Sequence, residues 1–192
     1  MRAPRLLVPL LVALATLAAC SRNGGGDGAA ERPKVAFVTN GIASFWTIAN
    51  AGVRAAAEEF DVDAEFETPA NGIVDQKRIV EELLTLGVDG IAISPIDGVN
   101  QAGLIDEACE RTHVVTHDSD APGTKRLCYV GMDNYEAGRA CGKLLKEAMP
   151  DGGSVMLFVG RMEQDNAKLR RQGIVDELLD RPADRTRFDP PG

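Results

Sequence analysis

Residues 34–60, KVAFVTNGIASFWTIANAGVRAAAEEF, set the pattern from which the rest of the chain is read. The run 34–39 (KVAFVT) is short, apolar and rich in β-branched side chains, which predicts a strand. After a polar link, Trp46, Ala49, Val53, Ala56 and Ala57 recur at three- and four-residue steps, which predicts a helix over 44–60 with one apolar stripe. Ser44 stands where an N-cap belongs.

The same alternation repeats downstream. Strands are expected at 63–67, 90–94, 113–117, 127–132 and 154–159. Helices are expected at 74–86, 98–110, 135–148 and 166–179, the first of them stopped by Gly87. Strands that alternate with helices predict an α/β fold of parallel, doubly wound sheets with right-handed crossovers. KVAFV, GIAIS and SVMLFV are apolar throughout, as strands covered on both faces should be. In such sheets ligands sit beyond the carboxyl ends of the strands. The candidate loops are therefore 40–45, 94–98, 118–123, 132–135 and 160–166, which are rich in Asn, Ser, Asp and aromatics. Groups that donate and accept, beside an aromatic face, suit a polyhydroxylated ligand.

The N-terminus points outside the cytoplasm. Arg2 and Arg5 precede an uncharged Leu/Ala/Val-rich run over 6–19, too short to span a bilayer comfortably and laid out as a secretory signal. Leu17-Ala18-Ala19-Cys20 resembles a lipobox, which implies cleavage after residue 19 and acylation of Cys20. Several acyl chains hold a protein at a membrane where one would not. The stretch 21–33 (SRNGGGDGAAERP) has no apolar periodicity and reads as a tether, so the folded part is expected to begin at Lys34.

Loss of the signal, which holds two arginines and no carboxylate, moves the formal charge from −8 to −10. An acidic body argues against nucleic-acid binding, whose usual footprint is a basic face. Cys109, Cys128 and Cys141 match no zinc spacing and are odd in number, so the expectation is small buried side chains with at least one free thiol. His113, His117, Asp118 and Asp120 look like a metal cluster, but neighbours on a strand face opposite ways, and no metal or other cofactor is expected. Asp118 and Asp120 alone do not make a glycosidase, since no other catalytic constellation accompanies them.

Five segments taken in order, KVAFVTNGIASFW, IAISPIDG, THDSDAP, VGMDNYEAGRACGKLL and FVG with NAKLRRQG, resemble the ribose-type family of periplasmic sugar-binding proteins. That family shares its fold with the sensor cores of lactose-repressor-type regulators, but here a secretion signal stands where a repressor's DNA-binding helices would. The resemblance implies a type I periplasmic-binding-protein fold of two lobes closing on a sugar, an ABC permease and ATPase as partners, and no enzyme activity. It divides the chain into lobe one at 34–132, the start of lobe two at 133–180, and an atypical tail at 181–192. It also implies that Phe45 and Trp46 stack on the sugar ring, although Trp46 falls on the helix stripe too. Asn40 would bind a hydroxyl or form a turn, and Ser94 would make a small polar contact. Asp118 would accept bonds from adjacent hydroxyls. Asp120 is either a second ligand residue or a hinge-side cap, and the Asp118-Ser119-Asp120 run looks more like the rhamnose and autoinducer-2 branch than the ribose one. Arg170 would clamp sugar oxygens from lobe two. Asp133-Asn134 is expected to cap the next helix at the hinge. Members have close to 300 residues, so the second lobe is expected to be incomplete, with exposed apolar surface and weakened or lost binding. Sensing through a chemoreceptor or kinase is the alternative output.

Overall fold

Five strands and five helices account for the body of the chain in the computed structural model, which describes residues 31–190. The expected signal, the expected lipidation site Cys20 and nearly all of the expected tether lie outside those residues. In chain order the elements are β1 (Lys34–Val38), α1 (Phe45–Phe60), β2 (Asp63–Glu67), α2 (Ile73–Leu86), β3 (Gly90–Ile93), α3 (Ala102–Cys109), β4 (His113–His117), β5 (Tyr129–Val130), α4 (Asn134–Ala148) and α5 (Asp165–Leu178).

The strands form one parallel sheet in the order β2-β1-β3-β4-β5. The chain steps from β1 to β2 on one side and returns to β3 on the other, so the direction of winding reverses between β1 and β3. In sheets of this kind such a reversal marks where ligands sit, beyond the carboxyl ends of the strands. Ala36, Val38, Ile91, Ile93 and Val114 pack on one face against Ile79, Val80, Leu83 and Leu84 of α2 and Ile105 and Ala108 of α3. The other face, with Val35, Phe37, Ala92 and Val115, meets Val53, Ala56 and Phe60 of α1 across an apolar hollow of about 310 Å³.

Helix ends follow local chemistry. Gly87 closes α2 in the left-handed conformation, with φ 71°, and its N–H reaches the carbonyls of Leu83 and Leu84. Asp133 caps α4, accepting from the Glu136 amide at 3.1 Å. Ser44 occupies the N-cap position of α1, but its side chain makes no capping bond. α3 starts later than its apolar pattern suggests, because the Asp97 carboxylate accepts from the amides of Val99 and Asn100 and shapes that stretch as a turn.

The segment 154–159 (SVMLFV) departs most from expectation. It is not a strand: no neighbouring strand pairs with it, and Met156 and Phe158 are 78% and 88% exposed. β-propensity needs a partner strand and a face to bury before it produces a strand. The cysteines differ in part: all three are free thiols, in line with the expected free thiol, but Cys128 and Cys141 are exposed and Cys109 half-buried rather than buried. Among the described residues no helix is long and apolar enough to cross a membrane.

α4 and α5 pack backbone to backbone. A Cβ on Gly138 would lie 2.1 Å from the Arg170 carbonyl oxygen, and one on Gly173 would lie 2.2 Å from that of Tyr135. The stretch after α5 folds back over the pair instead of trailing away. The Arg187 guanidinium lies 2.9 Å from the wholly buried Asp176 carboxylate, and Arg185 pairs with Asp133 at 2.6 Å. Gln172 and Asp189 exchange two hydrogen bonds.

Candidate functional site

Asp118 follows the last residue of β4 with φ 58°, a left-handed backbone that is uncommon for a residue other than glycine. Its position is over-determined. The Asp118 amide donates to Val130 at 3.2 Å, and the Tyr129 hydroxyl donates to its carbonyl at 2.9 Å. Three donors converge on Oδ2: Asn40 Nδ2 and Ser94 Oγ, each at 3.1 Å, and Asn166 Nδ2 at 3.3 Å. Asn40 Nδ2 also donates to Ser94 Oγ at 3.0 Å. Oδ1 accepts nothing from the described residues, so one carboxylate oxygen remains open to a ligand's hydroxyls.

Asp118 borders a cavity of about 450 Å³ together with Phe45, Trp46, His117, Tyr129 and Arg170. Phe45 is 58% exposed at the rim, with its ring edge-on to Trp46 at 4.9 Å. Trp46, only 6% exposed, is the one buried residue on the otherwise half-buried stripe of α1 and also forms cavity wall. Behind it the His117 ring stacks on Phe37 at 4.0 Å and meets Trp46 edge-on at 5.8 Å. Burial among these rings pushes the His117 pKa down to about 4, against a smaller upward pull from Asp118, so the imidazole is neutral at pH 7.

Arg170 enters from α5. Its Nε donates to the Asn166 carbonyl at 3.2 Å, and its other four N–H groups have no protein acceptor among the described residues. The cavity thus offers an anionic acceptor, a cationic donor and an aromatic wall.

Of the seven residues expected at a ligand site, Phe45, Trp46, Asp118 and Arg170 line this cavity. Asn40 and Ser94 stand behind it and hold Asp118, with Ser94 wholly buried. Asp120 does not join them. Arg126 grips its carboxylate at 2.6 Å, and Thr116 Oγ1 and the Ala121 amide add bonds at 2.6 and 2.8 Å, so it shapes the loop before β5. Asn166 is the residue that sequence reading passed over. It stood inside the NAKLRRQG segment, in a loop selected as a candidate, but nothing in the sequence distinguishes an asparagine that reaches Asp118 from one that merely starts a helix. A larger hollow, of about 650 Å³, lies between the unpaired 154–159 segment and the α4–α5 pair. Its polar lining, Gln164, Asn166, Arg170 and Arg171, holds no carboxylate and shares Asn166 and Arg170 with the surroundings of Asp118, so Asp118 marks the candidate site.

A parallel sheet with polar, aromatic and charged side chains gathered at its switch point defines an α/β ligand-binding module. The chain belongs to the periplasmic binding protein domain family, whose pattern matches residues 35–188. It is 28% identical over 162 residues to a D-ribose/D-allose-binding protein of Pseudomonas aeruginosa, covering 77% of this chain and 50% of that one. Among solved structures it is similar to an ABC transporter solute-binding protein from Burkholderia graminis in complex with D-arabinose. There the TM-score is 0.76 and the identity 29%, with 80% of this chain and 54% of that one covered. A glucose-galactose binding protein from Geobacillus stearothermophilus matches with TM-score 0.73 and 30% identity, over 78% of this chain and 54% of that one. The chain therefore spans about half the length of the curated relatives it matches.

Proposed function

We propose that this chain carries the sugar-contacting walls of an extracytoplasmic solute-binding protein that delivers a monosaccharide to an ABC-type importer. The observation that carries the reading is the convergence of Asp118, Arg170 and the Phe45–Trp46 pair on one cavity. Asp118 accepts hydrogen bonds from vicinal hydroxyls, Arg170 donates to ring or hydroxyl oxygens, and the aromatic pair covers the C–H face of the ring. Asn40, Ser94 and Asn166 hold the carboxylate in place. The relatives' names, which specify ribose, allose, arabinose, glucose and galactose, support a pentose or hexose as the ligand class.

In this reading residues 34–132 form one wall and 133–180 contribute part of the other, and closure of the walls on sugar is the signal a permease recognises. Export through the 1–19 segment and anchoring at Cys20 would put the site outside the cytoplasmic membrane. The first test titrates the full chain with D-ribose, D-allose, D-arabinose, D-glucose and D-galactose while following the fluorescence of Trp46, the only tryptophan in the sequence. A saturable change with one of them, at least tenfold weaker in Asp118→Ala, is the expected result. No response to any of the five at millimolar concentration would sink the proposal. Uptake of the bound sugar, compared between cells with and without the gene, separates import from sensing.

A further inference from the structure

Gln76 lines no part of the cavity, yet the loops that hold Asp118 meet on its side chain. It lies in the first turn of α2, at the carboxyl end of the sheet, and is wholly buried. Its Nε2 donates to the carbonyls of Thr39 at 2.7 Å and Ser94 at 2.8 Å. Its Oε1 accepts from the Ile96 amide at 3.2 Å and from Gln101 Nε2 at 2.8 Å. An amide side chain has two N–H bonds and two lone pairs on oxygen, so Gln76 is used to capacity. Gln101 continues the path, accepting from the Asp97 amide at 3.0 Å.

The location gives those bonds their meaning. The ladder between β1 and β3 ends where the Ser94 amide donates to Val38 at 2.9 Å, and beyond that point the two chains diverge. Thr39 directly precedes Asn40, and Ser94 supplies the hydroxyl that Asn40 and Asp118 share. Gln76 bridges the gap the switch point creates, one residue before Asn40 on one side and at Ser94 itself on the other. Gly98 closes the same frame from the other side, since a Cβ there would lie 2.4 Å from the Asp120 carbonyl oxygen.

We infer that Gln76 is a positioning residue that fixes the spacing of Asn40 and Ser94, and through them the orientation of the Asp118 carboxylate. Its consequence for binding rests on the sugar-site reading, whereas the positioning itself does not. In a low-dielectric interior a fully satisfied amide holds its partners to one geometry, and its loss frees both carbonyls together.

The test compares full-length Gln76→Met, which keeps an unbranched side chain of similar size without hydrogen bonds, with Leu83→Ala. Leu83 is a buried core residue of the same helix and touches neither loop bond, so that variant controls for lost stability. Two readouts are taken: D-ribose affinity by Trp46 fluorescence, and hydrogen exchange at the Ser119 amide. That amide donates to Ser94 Oγ and has no contact with Gln76, so it reports where the hydroxyl sits. The expected result is at least tenfold faster Ser119 exchange in Gln76→Met than in Leu83→Ala. A D-ribose Kd at least tenfold higher in Gln76→Met, and within twofold of the parent in Leu83→Ala, is expected with it. Equal exchange in the two variants overturns the inference. If the parent chain ignores D-ribose while exchange still separates the variants, the positioning role stands and ribose is not the ligand. Should Gln76→Met fail to fold, Gln76→Glu takes its place. It keeps both accepted bonds and sets carboxylate oxygens against the two carbonyls. Its Ser119 exchange should move toward the parent's as the pH falls from 7 to 5, because protonation restores one donor, and a gap that does not narrow overturns the inference.

Discussion

At the scale of single residues, His117 and Asp118 are neighbours in sequence with opposite environments. Asp118 has left the strand and gathers polar donors, whereas His117 completes a stack of rings and stays neutral. That neutrality has a pH consequence. The folded ring has a pKa of about 4, below the ordinary 6.5, so the unfolded chain binds the extra proton between those values. Stability contributed by the neutral ring is therefore intact above pH 6.5 and lost as the pH falls toward 4, by about 3 kcal/mol over the window. Urea titrations at pH 7 and pH 4.5 should show a larger drop for the parent chain than for His117→Phe. Equal drops would mean the ring is protonated in the folded state or exposed. The neighbouring carboxylates show where sequence reading stops at this scale. Asp118 and Asp120 are two residues apart and chemically identical, and what separates their tasks is Arg126, whose approach to Asp120 depends on how the loop between β4 and β5 folds. No spacing rule announces that contact.

At the scale of elements, local and non-local causes divide what could be read. β1, β2, β3 and β4, with α1, α2, α4 and α5, were legible to within a residue or two because each depends on an apolar stripe, a glycine stop or an acidic cap in its own segment. The 154–159 segment has the same β-branched and aromatic content, but its pairing depends on residues elsewhere, and none of the described residues supplies it. The α4–α5 contact is likewise non-local. Glycine inside a helix is unfavourable by itself, and only the crossing shows that Gly138 and Gly173 each admit the other helix's backbone. Gly138→Ala should force the pair apart and cost about 1–3 kcal/mol, the usual range for overpacking, against a gain of about 0.5–1 kcal/mol if Gly138 faced solvent. Chemical denaturation distinguishes the two by sign. The folded-back segment after α5 makes a second prediction. Burial alone would raise the Asp176 pKa, but bonds from Tyr135, Arg187 and Gln172 outweigh it and hold the carboxyl below its ordinary value. Removing one charged partner leaves part of that burial uncompensated, so Arg187→Ala should lose about 2 kcal/mol. Arg187→Ala combined with Asp176→Asn should lose less than the sum of the two, and strict additivity would show that the contact contributes nothing.

At the scale of the whole molecule, the apolar surface is unevenly covered. One face of the sheet is closed by α2 and α3, while among the described residues the other has α1 and the hollow beneath it, and Ile48 and Phe60 of that helix remain exposed. Around α4 and α5, Met156 and Phe158 add an uncharged, β-prone stretch with unpaired backbone. Exposed patches of this kind, and strand-like segments without neighbours, favour association. The net charge of −8 opposes it by keeping copies apart, and that repulsion is screened by salt while apolar attraction is not. The chain should therefore be dispersed at low ionic strength and associate as salt is raised, with binding of a fluorescent apolar dye under both conditions. Met156→Lys together with Phe158→Lys places two charges in the unpaired stretch and lowers the magnitude of the net charge to 6. If repulsion between whole molecules governs association, this pair makes it worse; if the 154–159 stretch governs it, the pair suppresses salt-induced association and reduces dye binding. Light scattering across a salt series separates the two, and the exposure of Phe158 favours the second outcome.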